Sequence, residues 1–194
     1  MLTRSRTIRG RLLYKEWFVH LRFPGHEHVK IKDGAPEGWD KKPLGEIAPL
    51  KYGKGLKEDV PIPGPFPVFG SSGIVGMHQT ALSTGPAIIV GRKGNVGSVY
   101  WSERDFWPID TVYFIESEKC SLYLYYALQH VQFISTNVAV PGLNRDFVHS
   151  RKLFSPDTSI LRLFEEFTTP LHEQISTQAR DMLLPRLMNG DIAV

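Results

Sequence analysis

The stretch AIIVGRKGNVGSVYW, residues 87–101, decides the fold expected for this chain. Its first four residues form a short apolar run that is typical of a buried β-strand. Residues 96–101 form a second run with strand character. Between them lies a loop, residues 91–97, that is rich in glycine and carries two basic residues. Two strands joined by a glycine turn predict part of a strand-rich domain.

The chemistry of the glycine loop at 91–97 excludes two nucleotide-binding motifs. It lacks the Gly-Lys-Ser/Thr ending of a phosphate-binding P-loop, and a strand rather than a helix follows it, unlike the dinucleotide fingerprint. A basic glycine loop between strands does suit DNA, because its backbone can approach closely. Arg92 can contact guanine or a phosphate, and Asn95 can pair with adenine. The plain alternative, a hairpin turn with solvated charges, stays open.

Two other glycine-bearing loops carry similar residues. KYGKGLK (51–57) interleaves lysines with a tyrosine, and GLNRD (142–146) places an asparagine beside an arginine. Several polar loops acting together are typical of specific DNA readers, although each loop alone could be an ordinary charged loop. In GLNRD, Asn144 could cap the following segment, and Arg145 could hold a phosphate. The candidate DNA-contacting residues are Lys51, Tyr52, Lys54, Lys57, Ser71, Ser72, Arg92, Lys93, Asn95, Asn144 and Arg145.

The remaining strand-rich segment is read from short apolar runs and turn signals. Residues 67–69 and 74–75 flank Gly70–Gly73 as a strand, turn and strand. Residues 111–115 predict another strand, and residues 121–134 predict a helix. Residues 143–154 are read as a loop followed by a short strand.

Helical periodicity marks both ends of the chain. Residues 7–21 place their large apolar side chains on one face. Residues 158–188 repeat apolar residues every three or four positions, with Pro170 expected to kink or divide the helix and Asn189-Gly190 expected to end it. The sequence therefore predicts an α+β protein with a strand-rich domain at 33–157, between helical segments at 1–32 and 158–194.

Composition points to a cytoplasmic protein without a membrane segment. Of 194 residues, 42% are hydrophobic and 22% are charged, and no apolar run approaches the ~18 residues of a membrane span. The single cysteine cannot form an internal disulfide. Residues 1–32 carry eight Lys/Arg against two Glu, a net charge of +6, and residues 156–194 carry a net charge of −3. The two ends could therefore pair with each other.

No pattern of catalytic or metal-ligating residues is recognised. The sequence contains no nucleophile elbow, HExxH zinc motif, Asn-Pro-Pro-aromatic methyltransferase motif or nuclease-like Glu-x-Lys. His26 and His28 are read as surface residues rather than metal ligands, because no cysteine or carboxylate cluster accompanies them. The aromatic residues are read as core or interface residues. We expect a non-catalytic protein that needs no cofactor.

A series of segments along the chain carries a family resemblance. In chain order they are LYKEWFVHLRFPGHE (13–27), DGAPEGW (33–39), LGEIA (44–48), PVFGSSGIVG (67–76), IIVGRKGNVGSVYW (88–101), FWPIDTVYFI (106–115), LYYAL (124–128), VPGLNRDFV (140–148), FEEFTTPLHEQI (164–175) and RDMLLPRLMNGDI (180–192). In order and spacing these segments resemble the motifs of the type I restriction-modification specificity subunit. The first two are similar to the end of that family's central conserved region and the connector that follows, and the last two are similar to its closing helix.

This resemblance implies a strand-rich target-recognition domain flanked by conserved helices that pack as an antiparallel pair. It implies a non-catalytic subunit that binds double-stranded DNA, reads one half of a bipartite site and docks methyltransferase subunits, with the restriction subunit joining indirectly. With a single recognition domain, the chain resembles half of such a subunit. A homodimer is then expected, with an interrupted palindrome as its target.

One departure and two alternatives accompany this interpretation. Only four residues separate Ile175 from Arg180, where a longer helical stretch is expected, so the gap between half-sites should be short. A stand-alone DNA-binding remnant or regulator would bind DNA without enzymatic partners. A small enzyme with an unrecognised site would show turnover by the isolated chain.

Overall fold

The computed structural model describes residues 9–56, 64–131, 133 and 142–172. These residues divide into two compact units. One unit runs from Lys42 to Leu153. The other combines the described residues up to Lys41 with those from Phe154 onward.

The main sheet of the Lys42–Leu153 unit consists of β4 (Lys51–Tyr52), β7 (Ala87–Gly91), β8 (Val99–Ser102) and β10 (Val112–Ile115). Their order in the sheet is β4-β10-β7-β8, and each strand is antiparallel to its neighbours. Both central strands, β7 and β10, are buried along their whole length, which explains their unbroken apolar sequences. β4 lies at an edge of the sheet.

A second sheet of the same unit is built around a hairpin. β5 (Phe66–Gly70) and β6 (Gly73–His78) form this antiparallel hairpin, and β9 (Trp107–Pro108) pairs with β5 in parallel, which gives the strand order β6-β5-β9. Side chains from both sheets form one core cluster of Phe69, Ala87, Ile89, Phe106, Val112 and Phe114. The core therefore fixes the hairpin against the main sheet.

Three helices complete this unit: α2 (Leu44–Ile47), α3 (Leu122–His130) and α4 (Arg145–His149). α3 begins at the Ser121 cap, whose hydroxyl accepts from Leu124 N at 3.1 Å, and Tyr125 packs edge-to-face on Trp101 of β8. A single 3₁₀ turn covers Ser117–Lys119.

Strands predicted at 67–69, 74–75, 87–90 and 111–115 are confirmed as β5, β6, β7 and β10. Two boundaries and one additional helix stand out as differences from the prediction. β8 starts at Val99 rather than residue 96, because the residues before it close the glycine loop. α3 ends at His130 rather than 134, because Val131 is extended. Within 143–154, a helix, α4, precedes the predicted strand.

The second unit contains two helices held by aromatic contacts. α1 covers residues 9–19, with a π-helical turn at Lys15–Val19, and α5 covers 158–172. Phe164 of α5 is fully buried against Tyr14, Trp17 and Phe18 of α1, with ring centroids 5.0–6.3 Å apart. The predicted helices are thus confirmed over the described residues.

Asp157 caps α5 with its carboxylate, which accepts from Ser159 N and Ile160 N at 3.0 Å. The Ser159 hydroxyl contributes most to lowering the pKa of Asp157. Helical residues continue through Pro170 to residue 172, so Pro170 does not divide the helix there. The alternative, a kink at Pro170, stays a prediction. The predicted stop at Asn189-Gly190 lies outside the described residues.

The remaining described strands form two short pairs. β1 (Ile31–Lys32) pairs antiparallel with β2 (Ala35–Pro36), after a 3₁₀ turn at His26–His28. β3 (Asp40–Pro43) pairs with β11 (Lys152–Ser155). Among the described residues, no helix has the length and apolar character needed to span a membrane.

Candidate nucleic-acid interface

The glycine loop after β7 is closed by its own backbone. Gly91 N donates to Ser98 O at 2.8 Å, and Gly97 N donates to Gly91 O at 2.9 Å. Gly94 and Gly97 have positive φ angles of 74° and 78°, a region that glycine adopts without strain. A Cβ on Gly97 would lie 2.9 Å from the Phe133 side chain. The glycines therefore make a tight loop that presents Arg92 and Lys93 directly after a buried strand.

A turn before β10 holds this loop from one side. Thr111 O accepts from Arg92 N at 2.8 Å and from Lys93 N at 3.1 Å. Asp110 contacts the side chains of both basic residues. Its backbone oxygen accepts from Arg92 Nη1, and its carboxylate Oδ2 accepts from Lys93 Nζ, both at 3.2 Å. Both basic residues are thus anchored at the main chain, and their side chains start from fixed positions.

The loop at 142–144 is held from the other side. Leu143 N donates to Arg92 O at 2.7 Å, and the buried Tyr113 hydroxyl of β10 donates to Leu143 O at 2.8 Å. Burial, with a smaller contribution from the neighbouring Tyr52, raises the pKa of Tyr113, which keeps this donor protonated. Asn144 then caps α4, its Oδ1 accepting from Phe147 N at 2.9 Å. The cap is one of the two roles predicted for Asn144, and contact with DNA stays a prediction.

Tyr52, on the edge strand β4, stands where these loops meet. Its side chain is 47% exposed, and its ring centroid lies 5.0 Å from the Arg92 guanidinium carbon and 4.9 Å from that of Arg145. The ring also packs edge-to-face on Tyr113 at 5.1 Å. A guanidinium beside an aromatic ring gains ~0.5–2 kcal/mol. Its N–H groups remain suited to bind a planar acceptor such as a phosphate or a guanine edge.

The hairpin tip between β5 and β6 also contacts the glycine loop. Ser71 Oγ accepts from Asn95 N at 3.3 Å, and Ser71 O accepts from Ser98 Oγ at 2.6 Å. Ser72, next to it, and the Asn95 side chain are exposed. The structure therefore brings the hairpin tip to the same loop as Arg92.

Lys51 and Lys54 bind groups other than the Tyr52 ring. Lys51 Nζ binds the carboxylate of Glu116, so part of its charge is neutralised. Lys54 is held through its backbone: its N–H donates to Pro108 O at 2.9 Å, and its carbonyl accepts from Trp107 Nε1 at 2.8 Å. Lys57 lies outside the described residues.

The fold brings most of the predicted site residues together. Tyr52, Arg92 and Arg145 come together from loops that the sequence separates by up to 93 positions; Lys93, Asn95, Asn144 and Ser71 lie beside them. Three further residues, Asp110, Tyr113 and His149, hold these loops through hydrogen bonds. The sequence did not predict this role for them. Asp110 and Tyr113 fall within the FWPIDTVYFI segment, which carries a family signal but no local sign of these contacts.

His149 links the helix bearing Arg145 to the strand bearing Tyr52. Its Nε2 accepts from Leu50 N at 2.9 Å, two residues before Tyr52. Gly45 of α2 permits this approach, because a Cβ there would lie 2.9 Å from the His149 Cβ. Burial, then the charge of Arg145, lowers the pKa of His149, while Asp146 opposes the shift. His149 is therefore neutral when its Nε2 accepts the hydrogen bond that links α4 to the residues leading into β4.

This bond predicts a pH dependence of stability. The unfolded chain protonates histidine near pH ~6.5, whereas the folded state resists protonation of His149, so stability is full above that pH and falls below it. Thermal melting of the wild type and of His149→Gln between pH 5 and 8 checks this. The wild type should lose stability towards pH 5 more steeply than the variant. His28→Gln, at an exposed histidine, serves as the control and should keep the wild-type slope, and equal slopes in all three proteins would contradict the role of His149.

Comparisons with known proteins identify the family to which this chain belongs. The family model for the type I restriction modification DNA specificity domain matches residues 36–179. The chain therefore belongs to that family, whose members form the non-catalytic DNA-recognition part of a restriction-modification system.

Solved structures share the fold at low sequence identity. The S subunit of a type I system from M. genitalium matches with a TM-score of 0.62 and 20% identity, over 96% of this chain and 55% of that one. The HsdS subunit from Thermoanaerobacter tengcongensis matches at 0.58 and 14% identity, over 93% and 46%. A chain from work on complex assembly and conformational transition of the type I R-M system matches at 0.62 and 13% identity, over 96% and 49%.

The chain spans about half the length of the solved structures it matches. A search of curated proteins found no match. In the described parts of the chain, no group of three or more His, Cys, Asp or Glu side chains could hold a metal ion.

Proposed function

We propose that the Lys42–Leu153 unit is a target-recognition domain that reads one half of a bipartite double-stranded DNA site. The observation that carries the proposal is the exposed Tyr52 ring with the guanidinium groups of Arg92 and Arg145 against it. The reading residues are those predicted from the sequence, supplied by the β4 edge, the hairpin tip, the glycine loop and the start of α4.

Charge distribution within this surface favours the arginines as the main contacts. Lys51 and Lys93 each have a carboxylate partner, in Glu116 and Asp110. Across the described ranges, no carboxylate pairs with the guanidinium of Arg92 or Arg145, and both guanidinium groups contact Tyr52 instead. Since fork-shaped guanidinium donors bind guanine or phosphate in two places at once, these two side chains are positioned to bind DNA without first breaking an ion pair.

The helical segments at 1–32 and 158–194 are proposed to dock the methyltransferase subunits, with the restriction subunit joining that assembly indirectly. Large apolar side chains support a protein contact here: Leu12 is 54% exposed and Phe167 is 55% exposed. Exposed apolar side chains on paired helices are typical of protein interfaces. The antiparallel pairing of these segments is part of the proposal.

The first test of DNA binding is its salt dependence. Contacts to several phosphates release counterions, so the affinity for duplex DNA should fall steeply as salt rises, with a slope of about −0.9 per phosphate contacted. Fluorescence anisotropy titrations at 50 to 300 mM salt measure the slope. Affinity that does not change with salt would argue against a phosphate-binding surface.

We expect two copies of the chain to assemble, because the chain has a single recognition domain and the proposed DNA site has two halves. One domain reads one half-site, so a homodimer would recreate the twofold arrangement of a split site, and closed symmetric pairs are the usual outcome for identical chains. Sedimentation velocity at micromolar concentration should show a dimer, and the selected DNA should be an interrupted palindrome with a short gap. A strict monomer that binds a single specific site would contradict this prediction.

Co-purification distinguishes a specificity subunit from a stand-alone DNA-binding remnant or regulator. Affinity capture of the chain, co-expressed with a type I methyltransferase subunit from the same source, should retain that enzyme in a stable complex. Specific DNA binding by the chain without retention of the enzyme would support a remnant or regulator. Turnover by the isolated chain would support neither.

A further inference from the structure

We propose that Asp110 is a specificity-determining residue of the DNA-reading surface, whose carboxylate accepts a hydrogen bond from the exocyclic amino group of a base. The proposal rests on the proposed function and names the chemistry of one of its contacts. Cytosine N4 and adenine N6 are the amino groups that face the major groove, and both are donors.

Asp110 lies beside the two basic residues of the glycine loop, Arg92 and Lys93. It contacts both basic residues of the glycine loop: its backbone oxygen accepts from Arg92 Nη1, and its Oδ2 accepts from Lys93 Nζ. The side chain is nevertheless 53% exposed. Oδ1 has no hydrogen-bond partner within the residues that the structure describes, so one oxygen of the carboxylate is open to solvent.

A carboxylate in this place has to be explained by something other than phosphate binding. It repels phosphates, and every charge it neutralises weakens the non-specific attraction of the surface for DNA. The DNA groups that attract a carboxylate are the amino groups on base edges, and aspartate accepting from cytosine N4 is one of the pairings that groove geometry allows. Lys93 on Oδ2 offsets the charge while Oδ1 accepts from the base.

The backbone around Asp110 is rigid enough for base reading. Ile109 N donates to Phe69 O of β5 at 3.0 Å, Val112 N donates to Ile109 O at 3.2 Å, and Thr111 O accepts two bonds from the glycine loop. The turn therefore connects both sheets of the unit. A side chain on such a support is held in place before DNA arrives, which is what discrimination between bases requires.

Selection from a pool of duplexes with randomised sequence tests the proposal, using the full chain and three variants. Asp110→Ala removes the acceptor, and Asp110→Asn keeps its shape and removes its charge. Glu116→Gln is the matched control, because Glu116 is also an exposed acid that binds a lysine of this surface, Lys51. Thermal melting of each variant checks that it is folded.

The wild type should select cytosine or adenine at one position of its half-site, and Asp110→Ala should lose about tenfold or more of that preference there while keeping the others. Asp110→Asn should favour adenine at that position, because asparagine pairs with adenine N6 and N7. A change from cytosine to adenine identifies cytosine as the base read by the wild type, and no change identifies adenine. Glu116→Gln should bind all sequences more tightly and keep every preference.

Two results would overturn the inference alone: unchanged preferences in both Asp110 variants, or the same change in the Glu116→Gln control, which would make the effect one of charge only. If the wild type enriches no sequence from the pool, the proposed function itself fails and the inference fails with it.

Discussion

The double substitution Arg92→Ala with Arg145→Ala should weaken binding to the selected duplex by more than a single base or phosphate contact contributes, which is about 1–3 kcal/mol. Both guanidinium groups contact the same Tyr52 ring, so the single substitutions should not be additive. Anisotropy titrations of the two single variants and the double variant against one duplex measure the affinities and the coupling.

Arg104→Ala provides the matched control for these titrations. Arg104 is exposed and lies just after β8, whose end pairs with the start of β7, whereas Arg92 follows the end of β7. The two arginines therefore lie at opposite ends of the sheet. Arg104→Ala should bind as the wild type does. If the double variant melts normally and binds equally well, neither arginine belongs to the DNA-reading surface.

Replacing Gly53 with alanine should destabilise the Lys42–Leu153 unit by about 3 kcal/mol, at the upper end of the range for overpacking. A Cβ on Gly53 would lie 2.0 Å from Ile109 O and 2.7 Å from Pro108 O. These are backbone atoms of the turn that carries Asp110, and they cannot rotate away as a side chain would. The melting temperature should fall by about 10 °C.

Gly55→Ala tests whether this loss comes from the close approach at Gly53. Gly55 is in the same loop, and no atom lies within 4 Å of the Cβ it would gain. Its substitution should change stability by less than about 0.5 kcal/mol, as for an ordinary exposed position. Equal melting of the two variants would show that the loop does not pack on the 108–109 turn as the structure has it.

The strands of the Lys42–Leu153 unit could largely be predicted from sequence, because burial on both faces leaves an unbroken apolar run such as Ala87–Val90. The ends of the strands and the short helices were harder to predict. β8 begins only at Val99 because Gly91 and Ser98 bond to each other across the loop, a contact that no periodicity reveals. α4 was missed because a helix of five residues is too short to show an apolar stripe, although Asn144 is a typical cap residue.

The candidate site could be predicted as separate loops, because glycine, arginine and asparagine show themselves locally. Their meeting at Tyr52 could not, since it depends on β4 pairing with β10 and on Leu143 binding Arg92. His149 gave no local signal, because its partner, Leu50, is 99 positions away. Asp110 lay in a recognised segment, yet its role follows only from the basic residues that the fold places around it.

The central claim, that these loops form one DNA-reading surface, is tested most directly by mapping the DNA on the protein. Amide chemical shifts of the labelled chain, followed during titration with the selected duplex, locate the contact residue by residue. The largest changes should cluster at residues 51–54, 71–72, 92–95, 110–111 and 142–146, while residues 103–105 at the opposite end of the sheet stay unchanged. Changes concentrated elsewhere, with these loops unaffected at saturating DNA, would contradict the claim.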